Sequence, residues 1–132
     1  MSYTPPQRIV IIDDDAAMVS IVSGYLKKNG YEVHSIKLDG HELGIISSLK
    51  PNLIILDRHL GRFDGHQFLS AIRNLQGLLS VPVLMLTGDA RKEEVVKSIE
   101  LGASDYMSKP FAFEDLLKKV KRLLGERGDH DR

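Results

Sequence analysis

The feature that most constrains this chain is an alternation, repeated five times, between short apolar runs and longer segments whose apolar residues recur every three or four positions. Ile9 to Ile12 is wholly apolar and β-branched, which suits a strand buried on both faces. From Asp15, an acidic N-cap, Met18, Ile21, Val22, Tyr25 and Leu26 follow helical spacing up to a stop at Asn29-Gly30. Glu32 to Ile36 reads as a second strand, His41 to Leu49 as a weaker helix, and Leu53 to Leu56 as a third strand, again fully apolar. Phe68, Ala71, Ile72 and Leu75 mark a third helix. Val83 to Leu86 follows as a fourth strand, with Pro82 at its start where a missing N–H costs least. Val95, Val96 and Ile99 predict a fourth helix closed by Gly102, and Asp105 to Met107 a short fifth strand. Phe113, Leu116, Leu117, Val120, Leu123 and Leu124 form the apolar stripe of a last helix whose other face is rich in lysine.

Strands alternating with helices imply βαβ crossovers, and right-handed crossovers place helices on both faces of a parallel sheet. The expected architecture is therefore α/β, a doubly wound three-layer sandwich of five parallel strands and five helices. One domain is expected over residues 8–124. The Pro-Pro pair marks 1–7 as a disordered lead-in, and 125–132 reads as a charged tail or truncated linker.

The chain has 132 residues, with 18 basic and 18 acidic side chains and no cysteine. This size supports a core of its own. Balanced charge gives no footprint for direct nucleic-acid binding or for anionic lipid. The absence of cysteine excludes disulfides and thiolate metal sites, and no apolar run is long enough for a membrane span, so a cytoplasmic location is expected.

In an open α/β sheet a ligand binds beyond the carboxyl ends of the strands. The polar residues there are Asp13-Asp14-Asp15 after the first strand, Asp57 after the third, Thr87 after the fourth and Lys109 after the fifth. Singly, each has a bland reading as a cap or turn former. Together they bring carboxylates, a hydroxyl and an ammonium to one sheet edge. Two carboxylates about 5 Å apart repel by roughly 3 kcal/mol at an effective dielectric near 20. A hard divalent cation resolves this, and oxygen-only donors favour Mg²⁺. Mg²⁺ and Lys109 could then neutralise a phosphoryl group and Thr87 hydrogen-bond it, with a carboxylate as nucleophile. Asp57, on the central strand, is the best placed for that role.

These residues resemble the response-regulator receiver family across essentially residues 8–124. Asp13-Asp14 is similar to its acidic pair, Pro51 to Asp57 to its acceptor segment, and Asp64-Gly65 to the turn beyond it. Leu86-Thr87-Gly88, Gly102 to Tyr106 and Lys109-Pro110-Phe111 resemble its remaining signatures. The resemblance implies a flavodoxin-like strand order 2-1-3-4-5, and self-catalysed phosphorylation of Asp57 in place of enzyme turnover. It implies Mg²⁺ held by Asp14, Asp57 and the backbone carbonyl of His59, with Asp13 acting through water, and a cis Lys109-Pro110 bond. Tyr106 would be the aromatic switch that follows Thr87, altering the face made by the fourth helix, fifth strand and fifth helix. The implied donor is a sensor histidine kinase or phosphotransfer protein; the effector or output domain is unspecified, and a phosphorylation-driven dimer is left open.

Three positions depart from the family pattern: Gly61 where proline is usual, Leu60 where methionine is common, and Asn52 where Asp is frequent. A looser loop around Gly61 and only a local capping role for Asn52 are expected. In the family, residues at the positions of Arg58, His59 and Asp89 tune phosphoryl lifetime, so Asp89→Ala should alter the dephosphorylation rate. Without Mg²⁺, Asp14→Ala should be more stable than the wild type.

Two rivals come from other classes. A haloacid-dehalogenase-type phosphatase would take Asp13 as nucleophile, but Ala17 departs from its motif and Asp57 is left without a role. A binding module, either an FMN carrier or a phosphorylation-silent receiver, is disfavoured by three aspartates where a flavin phosphate would sit, and by the retention of every acid and the lysine.

Overall fold

The computed structural model describes residues 5–61, 63–89 and 91–126. Among the described residues the strands are β1 (Arg8–Ile12), β2 (Glu32–Ser35), β3 (Leu53–Asp57), β4 (His59–Leu60), β5 (Phe63–Asp64), β6 (Val83–Thr87) and β7 (Asp105–Ser108). The five helices are α1 (Ala16–Lys28), α2 (Glu42–Leu49), α3 (Gly65–Arg73), α4 (Lys92–Glu100) and α5 (Phe113–Leu123). A parallel sheet runs in the order β2-β1-β3-β6-β7, which is the expected 2-1-3-4-5 order once the short strands β4 and β5 are set aside.

The apolar runs form strands because both sides of each are covered, and alternate residues serve opposite layers. Ile9 and Ile11, Leu53 and Ile55, and Leu84 and Leu86 pack with Val22 and Leu26 of α1 and Leu116 and Val120 of α5. Val10 and Ile12, Ile54 and Leu56, and Val83 and Met85 pack on the other side with Ile46 of α2 and Phe68, Leu69 and Ile72 of α3. Tyr25 of α1 stacks on Phe113 of α5 with ring centroids 5.0 Å apart. Asp15 caps α1 as expected, its carboxylate accepting from the N–H groups of Ala17 and Met18.

The amphipathic pattern was less reliable about orientation than about helix position. Ile21 is 55% exposed. In α4, Val96 and Ile99 face solvent and Ser98 is the buried residue. Leu75 lies beyond α3, in a turn where its N–H bonds Ile72.

The segment around Gly61, expected as a looser loop, is flanked by paired residues. His59–Leu60 and Phe63–Asp64 pair as a short antiparallel hairpin. Gly61 sits at φ +64°, a backbone conformation that favours glycine, and a Cβ there would lie 2.9 Å from the end of the exposed Asp14 side chain. Asn52 does more than cap locally, because its Oδ1 accepts from the Arg8 N–H at 2.7 Å and joins the starts of β1 and β3.

The expectations for residues 1–4 and 127–132 lie outside the described residues. Where the ends are described they are tied in: Gln7 O accepts from the Glu32 N–H, and the Tyr31 hydroxyl donates to the Glu126 carboxylate at 3.1 Å. Among the described residues no helix is long and apolar enough to cross a membrane.

Candidate functional site: an acidic cluster at the carboxyl edge of the sheet

Strand alternation decides which side chains can meet. Asp57 continues the parity of Leu53 and Ile55, toward the α1 and α5 layer. Past β7, the Lys109 N–H bonds Thr87 O at 2.7 Å, so the ladder runs on and Lys109 keeps the parity of Met107, in the same layer. Its Nζ lies 2.8 Å from Asp57 Oδ2 and 3.5 Å from Asp13 Oδ2. One ligand oxygen each from Asp13, Asp14 and Asp57 falls within 4.8 Å of the others, so the cluster has the donors for a metal ion. The side chains of Asp13 and Asp57 are buried, whereas Asp14 is exposed at the rim.

Backbone groups orient the carboxylates. Asp13 Oδ1 accepts from the Asp15 N–H at 3.0 Å, and Asp57 Oδ1 from the His59 N–H at 3.1 Å. The His59 side chain is exposed. Burial pushes the Asp13 carboxyl up to about 6, the Asp15 N–H opposes this, and the neighbouring Asp57 carboxylate adds to it. Burial also works against the Lys109 ammonium, but hydrogen bonding to Asp57 and the charges of Asp57 and Asp13 outweigh it and raise its pKa. Asp14, at the exposed rim, is better screened by water than the buried Asp13.

Thr87 is buried at the end of β6, with the parity of Val83 and Met85, on the opposite layer from Lys109. Its hydroxyl accepts from the Asp89 N–H at 2.9 Å and donates to Asp89 O at 3.1 Å. The Asp89 carboxylate is gripped by Arg91, whose hydrogen bonds lower it to about 2. Tyr106 is half-buried against the α2 and α3 layer, with Lys119 Nζ 6.0 Å from its ring centroid. The Lys109-Pro110 bond is cis.

Several contacts around the site cannot be read from residue spacing, even where their residues match the family pattern. Gly65, first residue of α3, passes so close to the end of β3 that an added Cβ would lie 2.5 Å from Asp57 O. Asp64 caps α3 by accepting from the His66 N–H and also binds Arg58 Nη1 at 2.6 Å. Arg58 Nε donates to Glu94 of α4 at 3.0 Å. Buried His66 meets Ser98 of α4, Nε2 to Oγ, at 2.8 Å. The partners in the last two pairs are 36 and 32 residues apart, beyond the reach of any helical or strand periodicity.

This constellation has counterparts. The family described as "Response regulator receiver domain" matches residues 9–121. The chain is 37% identical over 119 residues to the "DNA-binding dual master transcriptional regulator RpaA" of Synechocystis, covering 89% of this chain and 48% of that protein. It is 36% identical over 119 residues to the "Alkaline phosphatase synthesis transcriptional regulatory protein PhoP" of Bacillus subtilis, with the same coverage of 89% and 48%. The chain thus spans about half the length of these curated relatives. Among solved structures, the chemotaxis protein CheY4 of Vibrio cholerae superimposes with a TM-score of 0.83 at 30% identity, covering 89% of this chain and 98% of that one. A CheY-like receiver domain protein of Methanospirillum hungatei gives 0.82 at 33% identity, covering 91% and 94%. With the parallel sheet, the acidic cluster and these matches in agreement, the chain belongs to the response regulator receiver domain family of two-component signalling.

Proposed function

We propose that Asp57 is the phospho-acceptor of a Mg²⁺-dependent switch. The observation that carries this reading is the convergence of Asp13, Asp14 and Asp57 within 4.8 Å, with Lys109 Nζ 2.8 Å from Asp57 Oδ2. The donor set fits the ion: three carboxylates, and no imidazole or thiolate among the clustered groups. Asp14, Asp57 and the backbone carbonyl of His59 would hold Mg²⁺ directly and Asp13 through water. When bound, Mg²⁺ neutralises charge on the transferring phosphoryl group.

The remaining chemistry belongs to the chain. A carboxylate oxygen of Asp57 forms the new O–P bond while the bond from phosphorus to the donor breaks, its electron pair leaving with the donor atom. Lys109, already paired with Asp57, stabilises the charge that builds on the phosphoryl oxygens. The Thr87 hydroxyl exchanges its bond with Asp89 for one to a phosphoryl oxygen, and Tyr106 follows, changing the surface of α4, β7 and α5. The chain accepts one phosphoryl group and loses it slowly, as a switch and not as a turnover enzyme. Its partners in the cytoplasm are a histidine kinase or phosphotransfer protein upstream and an effector or output domain that reads the altered surface.

The test is intact mass after incubation with acetyl phosphate, with and without Mg²⁺, for the wild type and Asp57→Ala. The expected result is a single Mg²⁺-dependent phosphoryl gain on the wild type alone. Equal gain by Asp57→Ala would move the nucleophile elsewhere and revive the phosphatase reading.

A further inference from the structure

The way α4 is attached distinguishes it from the other helices. Its one buried residue is the polar Ser98, while Val96 and Ile99 face solvent. What holds it is a set of polar bonds to the acceptor side of the molecule. Arg58 extends β3 by one rung, its N–H donating to Leu86 O at 2.7 Å, so its side chain takes the parity of Ile54 and Leu56 and leaves toward α3 and α4. There the guanidinium is shared between the carboxylates of Asp64 at 2.6 Å and Glu94 at 3.0 Å. A second bond reinforces the first. Ser98 Oγ donates to Glu94 O at 3.1 Å, so its contact with His66 at 2.8 Å takes the Nε2–H of the ring as donor. Burial and the nearby Arg58 charge hold the His66 pKa low, in keeping with that neutral tautomer. The Arg58 bond holds Glu94 in the first turn of α4, which is joined to Thr87 through Asp89 and Arg91, and the His66 bond holds Ser98 one turn further along the helix. The Thr87 hydroxyl is itself engaged by Asp89.

We propose that Arg58 is a positioning residue for the chemistry at Asp57: through Glu94 it ties the first turn of α4 to the acceptor strand and so restrains the Thr87 segment in its bonded arrangement with Asp89. The inference rests on the reading of Asp57 as phospho-acceptor and adds its regulation. By linkage, whatever stabilises the Thr87–Asp89 arrangement opposes the arrangement in which Thr87 meets a phosphoryl group, and loosening it strengthens binding there. Removing the Glu94 charge also favours an anion at Asp57 through space, and a double-mutant cycle separates the two effects. A through-space effect persists without Arg58, whereas a restraint that runs through Arg58 does not.

The experiment is titration of Mg²⁺-loaded protein with beryllofluoride, an anionic phosphoryl mimic, for the wild type, Glu94→Gln, Arg58→Gln and the double variant, with denaturant melts to establish that each is folded. Glu94→Gln should bind about five-fold tighter than the wild type, the low end of typical coupling energies. In the Arg58→Gln background the same substitution should change affinity little. Arg58→Lys, which keeps the charge but not the forked geometry, should restore part of the Glu94→Gln effect. An equal effect in both backgrounds, or none in either, overturns the restraint. Where the wild type binds and Asp57→Asn does not, such a result sinks the Arg58 inference alone. If the wild type shows no Mg²⁺-dependent binding, the acceptor reading fails and this inference with it.

Discussion

Helices α4 and α5 flank the same edge strand, β7, yet they are held in different ways. In α5, Leu116 and Val120 are fully buried in the layer shared with α1, and Phe113 stacks on Tyr25. In α4, Val96 and Ile99 face outward while Val95 is half-buried, and Glu94 and Ser98 bond Arg58 and His66. Apolar burial is non-directional and is lost only when the layers separate, whereas a polar bond can be exchanged for another of similar strength. The contrast separates a wall fixed by apolar burial, on the side of Lys109, from one held by exchangeable polar bonds, next to the Thr87 segment.

The largest expected effect comes from the fixed wall. Leu116→Ala should cost about 3 kcal/mol in a denaturant melt, from lost burial and the cavity left behind. A loss below about 1 kcal/mol would show α5 to be held no more firmly than α4.

The Asp13 carboxyl, in the same half of the site, should come next. Its pKa is raised in the fold, so its stabilising contribution is complete below the ordinary value of 3.8 and is lost as pH rises through about 6. Without Mg²⁺, the stability of the wild type relative to Asp13→Asn should therefore fall by about 2 kcal/mol between pH 4 and pH 7. The variant should be the more stable at pH 7, and Mg²⁺ should reverse that order. A pH-independent difference would contradict the buried-acid cluster.

On the side held by polar bonds, Ser98→Ala should cost only about 1 kcal/mol by orphaning the buried His66 Nε2–H. It should also speed amide exchange in α4 while leaving α5 protected. Equal acceleration in both helices would erase the distinction between them. The smallest effect belongs to Val96→Ala, expected within about 0.5 kcal/mol of the wild type.

Much of the framework was legible because both-face burial leaves an unmistakable trace: three runs of apolar residues in which odd and even positions feed different layers. The site residues were legible for a related reason, since a charged group directly after such a run must lie at the edge of the sheet. Chain order alone could not say which layer each side chain enters, so the grouping of Lys109 with Asp57 and Asp13, apart from Thr87 and Arg58, emerged only from the continued ladder. Arg58 drew notice from the family pattern as a tuning position, but nothing local points from it to Glu94, and no periodicity links His66 to Ser98. The hairpin of β4 and β5 went unread because two-residue strands have no periodicity. Helical spacing located α4 correctly, but a short helix held by polar bonds can turn its Val96 and Ile99 outward without breaking that spacing.

The central claim is that Asp57 receives the phosphoryl group, and the most direct measurement is to locate it. The protein is phosphorylated with acetyl phosphate and Mg²⁺, reduced with borohydride, which converts an aspartyl phosphate to homoserine, and sequenced by peptide mass spectrometry. Homoserine at position 57, dependent on Mg²⁺, is the predicted result. Homoserine at position 13 or 14 with Asp57 intact would contradict the account and make the first-strand acids the nucleophile.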